Sequence, residues 1–242
     1  MADLIEIEGL TKRFGRLIAV DDVSFAVRQG EVLGFLGPNG AGKTTTMRMA
    51  TGYLPPSRGT ARIAGEDVIR RPLAARHQLG YLPEGSPLYG EMTPAGLLRF
   101  VARLRGINGS TWRWRRDVLI ERLGLAEVWH RPIDALSKGF KRRIGLAQAL
   151  IHDPPVLILD EPTDGLDPNQ KHEVRSLLQL MAPEKAIVIS THILEEVEAV
   201  CTRAIIVARG RVVADGEPRA LFAGARPDEV FRRVTLPERQ DG

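Results

Sequence analysis

The chain has 242 residues, 43% of them hydrophobic and 26% charged, with a mean hydropathy of −0.12. That length buries a full core near the upper size for one domain, and the composition is that of an ordinary globular protein. A formal charge of +4 and a pI near 9.5 raise nucleic acid as a partner, yet most basic residues are arginines spread along the whole chain, so none is expected. No run approaches the ~18 apolar residues of a spanning helix, and MADLIEIEGL lacks the basic-then-apolar profile of a signal peptide. The single cysteine, Cys201, excludes an internal disulfide framework and fits a reducing cytosol.

In chain order, the first forty residues read as β structure. Leu4-Ile5-Glu6-Ile7-Glu8 alternates, and residues 18–27 are rich in β-branched side chains ahead of a Gln29-Gly30 turn. Val32-Leu33-Gly34-Phe35-Leu36 is a short continuous apolar run, as in a strand buried on both faces. It feeds a glycine-rich loop, and a helix is predicted from near Lys43 to before Gly52. Between about Thr93 and Ile151 the pattern turns helical, opening on a Thr93-Pro94 N-cap, with Leu97, Val101 and Leu104 at helical spacing. Trp112-Arg113-Trp114-Arg115-Arg116 could bind single-stranded nucleic acid. It opens a stretch ending at Gly124, however, and reads as a solvated helix face with the tryptophans packed inward. Residues 156–159 and 186–189 are again buried-strand runs. The helix between them opens at Asp167-Pro168 and sets Val174, Leu177, Leu178 and Met181 on one face. Residues 204–213 read as a late hairpin, and beyond Gly224 the chain is charged and proline-containing. Strands alternating with helices predict an α/β fold with a parallel sheet and an inserted helical subdomain. The predicted domain covers 4–233, with its helical part at about 90–152 and a tail at 234–242.

Two stretches carry chemistry in their own right. Gly37-Pro38-Asn39-Gly40-Ala41-Gly42-Lys43-Thr44-Thr45 fits the phosphate-loop pattern, in the strand, loop, helix setting that pattern requires. The glycines let backbone N–H groups converge on the phosphates of a nucleoside triphosphate, and the helix start adds its positive end. Lys43 then bridges the β and γ phosphates, and the Thr44 hydroxyl is a Mg²⁺ ligand. Asp160-Glu161 follows four apolar residues, placing both carboxylates at a strand end, where ligands gather in open α/β sheets. Asp160 is predicted to reach the Mg²⁺ shell and Glu161 to act as general base on water. Asp167 suits an N-cap, and it is also expected among the residues at the nucleotide.

With Leu136-Ser137-Lys138-Gly139-Phe140 and Ser190-Thr191-His192 in the same order, the chain resembles the ATP-binding-cassette ATPases, the motor subunits of ABC transporters, over nearly its whole length. The resemblance implies a P-loop NTPase with a RecA-like core, an N-terminal antiparallel β subdomain and an inserted α-helical subdomain carrying the signature motif. It implies ATP and Mg²⁺ as cofactors, Phe14 stacked on adenine unless it serves the core, and His192 as the switch histidine at the γ-phosphate. Ser137, Lys138 and Gly139 would face the γ-phosphate bound to a second ATPase subunit, so that two cassettes enclose two ATP molecules head to tail. Residues 162–167 resemble the family's D-loop, with Asp164 where serine is more usual.

Three further positions depart from the commoner pattern. Lys138 and Phe140 stand where the signature usually has glycine and glutamine, and Lys138 adds a cation near the phosphate. Leu79-Gly80-Tyr81-Leu82-Pro83-Glu84 ends on glutamate where a glutamine usually touches Mg²⁺ and water. Glu84 still offers an oxygen to the metal, but it adds negative charge.

Leu82-Pro83-Glu84, Leu136-Ser137-Lys138-Gly139 and Thr191-His192-Ile193-Leu194-Glu195-Glu196-Val197 look like the bacterial ABC-2 exporter ATPases, and are most similar to the gliding-motility type. This implies an integral-membrane permease, a second ATPase copy, a place on the cytoplasmic face of the inner membrane, and a coupling surface near residues 84–100. The mild positive charge suits an anionic inner leaflet. An importer ATPase shares the core, and a soluble non-transport ABC ATPase is the alternative from another class, usually with two cassettes or long heptad arms. A phosphate-loop GTPase or kinase would leave residues 136–140 unexplained, and no Asn-Lys-x-Asp motif is present.

Overall fold

The structure, a computed structural model, describes residues 3–222. The expected tail at 234–242 and the last part of the expected domain lie outside the described residues. Two long strands, β1 (Asp3–Phe14) and β2 (Leu17–Arg28), pair antiparallel and turn inward Ile5, Ile7, Leu10, Val23 and Val27. β3 (Val32–Leu36) is buried along its whole length and leads through the glycine loop to α1 (Lys43–Ala50). There follow β4 (Arg58–Ile63), β5 (Glu66–Asp67), α2 (Pro72–His77) and β6 (Leu79–Leu82).

The helical segment comprises α3 (Pro94–Leu104), α4 (Gly109–Arg122) and α5 (Lys138–Leu150). Thr93 caps α3 as predicted, its Oγ1 accepting from the Gly96 N–H at 3.1 Å. The chain then returns through β7 (Val156–Asp160), α6 (Pro168–Met181), β8 (Ala186–Thr191), α7 (Leu194–Val200), β9 (Arg203–Ala208), β10 (Arg211–Gly216) and α8 (Pro218–Leu221). No helix among the described residues is long and apolar enough to cross a membrane.

Among the described residues, ten strands make two sheets. One is antiparallel, in the order β2-β1-β4-β5; the other has six strands, β10-β9-β3-β8-β7-β6, all parallel save β10 against β9. The uninterrupted apolar runs of β7 and β8 are explained by burial on both faces. Leu157, Leu159, Ile187 and Ile189 point into one core shared with α3 to α6. Val156, Ile158, Ala186 and Val188 point into a second core, shared with Met47 and Met49 of α1 and the inner face of the antiparallel sheet. The strand ends that hold the site are thus clamped from both sides.

One expectation is corrected. Of the two tryptophans in α4, Trp112 is buried but Trp114 is 59% exposed, with the Arg115 guanidinium 5.0 Å from its ring centre. Residues two apart on a helix lie on different faces, so both could not pack inward.

Candidate active site

β3 ends at Leu36 near the middle of its sheet, and the loop to α1 is shaped by two glycines. A Cβ on Gly37 would lie 2.5 Å from the Val207 carbonyl oxygen, so no side chain fits. Gly42, the N-cap of α1, has φ 103°, and a Cβ there would lie 2.6 Å from the Ala19 carbonyl oxygen. No side chain caps α1, which leaves its first-turn N–H groups open to an anion. Lys43 folds back along this loop, its Nζ donating to the carbonyl oxygens of Gly37 at 2.7 Å and Pro38 at 3.3 Å. Burial holds the Lys43 ammonium below its usual pKa, opposed by the carboxylates of Glu161, Asp160 and Glu84. A cleft of about 270 Å³ opens here, between Asn39 to Thr45 on one side and Glu84 and Glu161 on the other.

Asp160, the last residue of β7, is fully buried, and neither carboxylate oxygen has a hydrogen-bond partner in the protein. A buried carboxylate without partners is costly, and it marks a place where a cation or donor belongs. In the cleft, the Thr44 hydroxyl lies 3.5 Å from Glu84 Oε2. These hard oxygen donors suit Mg²⁺, which proteins commonly hold through one or two carboxylates together with substrate phosphates. No group of three or more His, Cys, Asp or Glu side chains that could cage a metal occurs among the described residues.

Glu161 follows in a left-handed backbone conformation, φ 52°, which costs a non-glycine residue roughly 1–3 kcal/mol. Its N–H donates to Ser190 O at 2.8 Å, and its carbonyl accepts from Asp164 N–H at 3.1 Å. β7 and β8 run parallel with Asp160 opposite Ser190, so Glu161 and His192 emerge at the same sheet edge. His192 Nδ1 lies 3.0 and 3.1 Å from the two Glu161 carboxylate oxygens. Burial raises the pKa of Glu161, with the His192 hydrogen bond as the chief opposing effect. The pair is a carboxylate of raised basicity steadied by a half-exposed imidazole, which is suited to accept a proton from water.

The structure therefore gathers the phosphate loop, Glu84, Asp160, Glu161 and His192 in one place. Phe14 ends β1 half exposed rather than in the core, with Lys12 Nζ 5.4 Å from its ring centre. It lines an adjoining cleft of about 650 Å³ that shares Thr45 and Glu84 with the first. Ser137 caps α5, its Oγ accepting from Phe140 N–H at 3.4 Å; the Lys138 stem lies against Gly165, and Gly139 faces the Gln170 side chain. Asp167 caps α6 through Gln170 N–H at 3.0 Å. These four do not line the phosphate cleft of their own chain.

Two residues were missed from sequence. Glu196 on α7 is buried and accepts from the hydroxyls of Thr163 and Thr191, the latter at 2.9 Å, with Lys171 Nζ 3.7 Å away. It ties the segment after Glu161 to the strand end that carries His192. Arg142 on α5 is also buried and donates to the carbonyls of both Asp160 and Glu161. A charge within the buried stripe of Gly139, Arg142, Leu146 and Ala149 was the available signal.

Comparisons with known proteins agree with this fold. The family model described as ABC transporter matches residues 20–164. The Nod factor export ATP-binding protein I of Ralstonia nicotianae is 40% identical over 220 residues, covering 90% of this chain and 68% of the relative. The probable multidrug ABC transporter ATP-binding protein YbhF of Escherichia coli is 39% identical over 227 residues, which is 93% of this chain and 39% of that one. A solved ATP binding subunit of an ABC transporter has a TM-score of 0.89 at 32% identity, covering 96% of this chain and 100% of that one. The structure of cbiO1 from Clostridium perfringens, part of the ABC transporter complex cbiONQ, has a TM-score of 0.81 at 29% identity, covering 97% of this chain and 95% of that one.

Proposed function

We propose that this chain, which belongs to the ABC transporter family as one of its ATP-binding and ATP-hydrolysing subunits, is the motor of a bacterial ABC-2 type exporter. In this reading two copies enclose two ATP molecules head to tail and drive a separate integral-membrane permease from the cytoplasmic face of the inner membrane. The fully buried Asp160, with both oxygens unpartnered and its charge acting on Lys43 together with those of Glu161 and Glu84, carries the hydrolytic part of the proposal. Relatives named for Nod factor export and multidrug transport favour export.

Thr44, Asp160 and Glu84 are the residues that would hold Mg²⁺, which when bound neutralises charge developing on the phosphates. Lys43 exchanges its hold on the Gly37 and Pro38 carbonyls for phosphate oxygens. Glu161 accepts the proton of the attacking water, and His192 keeps its carboxylate aimed. Ser137, Lys138 and Gly139 lie outside their own chain's cleft, at the start of a helix, and this supports an anion site presented to a partner's nucleotide. A groove of about 440 Å³ lined by Tyr53, Tyr81, Pro83, Ser86 and Tyr89 supports a permease contact just past Glu84.

The purified chain is expected to hydrolyse ATP in a Mg²⁺-dependent manner and to bring an integral-membrane protein with it from detergent-extracted membranes. ATP turnover without any membrane partner would overturn the exporter reading and leave the ATPase intact. Two substitutions test finer assignments. Phe14→Ala removes a stacking face worth about 1–3 kcal/mol, so the Kd for ATP, read by calorimetry, is expected to rise roughly 5- to 150-fold. An unchanged Kd would remove Phe14 from the adenine site. Glu84→Gln keeps an oxygen within reach of Thr44, and it is expected to retain ATPase activity within about tenfold, since one hydrogen bond is worth about 0.5–1.5 kcal/mol. Complete loss of activity in a steady-state assay would show that the carboxylate itself is needed.

A further inference from the structure

Among the described residues Arg142 pairs with no carboxylate; burial lowers its pKa, opposed by the charges of Asp164, Asp160, Glu161 and Glu84. Its hydrogen bonds go to the main chain and one hydroxyl. Nη2 donates to the carbonyl oxygens of Asp160 and Glu161, while Nη1 donates to Pro83 O at 3.0 Å and Ser86 Oγ at 2.8 Å. One guanidinium thus joins three pieces of chain: helix α5, the end of β7 and the loop after β6 that contains Glu84. The planar fork of arginine suits such a junction, because its donors are fixed relative to one another. The joint is tight as well. One turn along α5, a Cβ on Gly145 would lie 2.8 Å from Leu82 Cδ1 and 3.1 Å from Ser86 Oγ.

The carbonyls that Arg142 holds belong to the two residues whose side chains carry the hydrolytic chemistry. Glu161 is the one in a left-handed backbone, a conformation that persists only when its surroundings over-determine it. Rotating the Glu161 peptide would swing its carboxylate off His192. On the other side, Pro83 and Ser86 line the groove assigned above to the permease.

We propose that Arg142 is a positioning residue that fixes the backbone of Asp160 and Glu161 for hydrolysis and links it rigidly to the loop following β6. The proposal rests on the ATPase reading of the cleft and deepens it: displacement of the 83–86 loop reaches the general base through a single side chain. Arg142 touches no nucleotide in this scheme and acts through Glu161.

The experiment compares Arg142→Met with the wild-type chain in Mg-ATP hydrolysis and nucleotide binding, alone and in a Glu161→Gln background. A misplaced reacting group costs up to about 100-fold, so kcat is expected to fall roughly 10- to 100-fold while the Kd for ATP stays within about twofold. In the Glu161→Gln background, single-turnover measurements should show no further fall, because the two residues act on one step. Three results would overturn the proposal: an unchanged kcat, a matching loss of ATP affinity, or an equal fall in the Glu161→Gln background. Should Arg142→Met fail to fold, Arg142→Lys keeps the charge but not the fork, and the same comparisons apply to it. A wild-type chain without ATPase activity would refute the proposed function itself, a result distinct from an active wild type that is indifferent to Arg142.

Discussion

Glu161→Gln is expected to reduce steady-state ATP turnover by about 10²–10⁴-fold, the range that a general base contributes. The substitution is nearly isosteric, and the amide oxygen can still meet His192, so the loop geometry should persist. What disappears is proton affinity, at a carboxylate whose pKa burial has already raised. The acidic limb of the wild-type pH profile should therefore lie above the ordinary glutamate range, since activity is lost as that carboxylate protonates, and the variant should lack that limb. Removing a negative charge from the cleft should leave ATP affinity equal or higher. With Mg-ATP bound and hydrolysis blocked, light scattering should report a mass of two chains, against one without nucleotide. Turnover within a few-fold of wild type would move the base elsewhere. Blocked turnover without pairing would remove the head-to-tail arrangement while leaving the cleft chemistry standing.

The elements legible in the sequence are those whose burial is uniform. β3, β7 and β8 are buried throughout, and the apolar runs at 32–36, 156–159 and 186–189 follow because both faces are covered; α6 shows its stripe because only Val174, Leu177, Leu178 and Met181 are buried. β4 was not legible, since Arg-Gly-Thr-Ala-Arg-Ile buries only Ala61 and Ile63. Four-residue β6 is interrupted by Gly80, where a Cβ would lie 2.4 Å from the Ala149 carbonyl oxygen. Tertiary contact, not propensity, decides both strands. In the site, residues inside contiguous motifs were readable because phosphate and metal chemistry dictate residue types at fixed spacing. Arg142 and Glu196 were not, because their partners are carbonyls and hydroxyls brought in from distant segments. Backbone acceptors leave no pattern in a sequence.

Lys43→Ala is expected to raise the Kd for ATP by roughly 10- to 100-fold, given about 1.5–3 kcal/mol for a hydrogen bond to a charged group. Burial already disfavours the Lys43 ammonium, and among the described residues its hydrogen bonds go to the Gly37 and Pro38 carbonyls. In the absence of nucleotide the cation is thus desolvated without an ion pair of its own, so its removal should leave thermal stability nearly unchanged. With ATP the balance reverses, because the ammonium then meets phosphate charge in the same low-dielectric setting. The two states should separate in a melting experiment. At ATP concentrations near 100 times the wild-type Kd, binding stabilises the wild-type chain by about 2.7 kcal/mol, and about half or more of that gain should vanish in the variant. A large loss of stability without nucleotide would make Lys43 a structural brace of the loop. An ATP-dependent shift equal to wild type would mean that the phosphates lie elsewhere, and the roles of Thr44, Asp160 and Glu161 would fall with it.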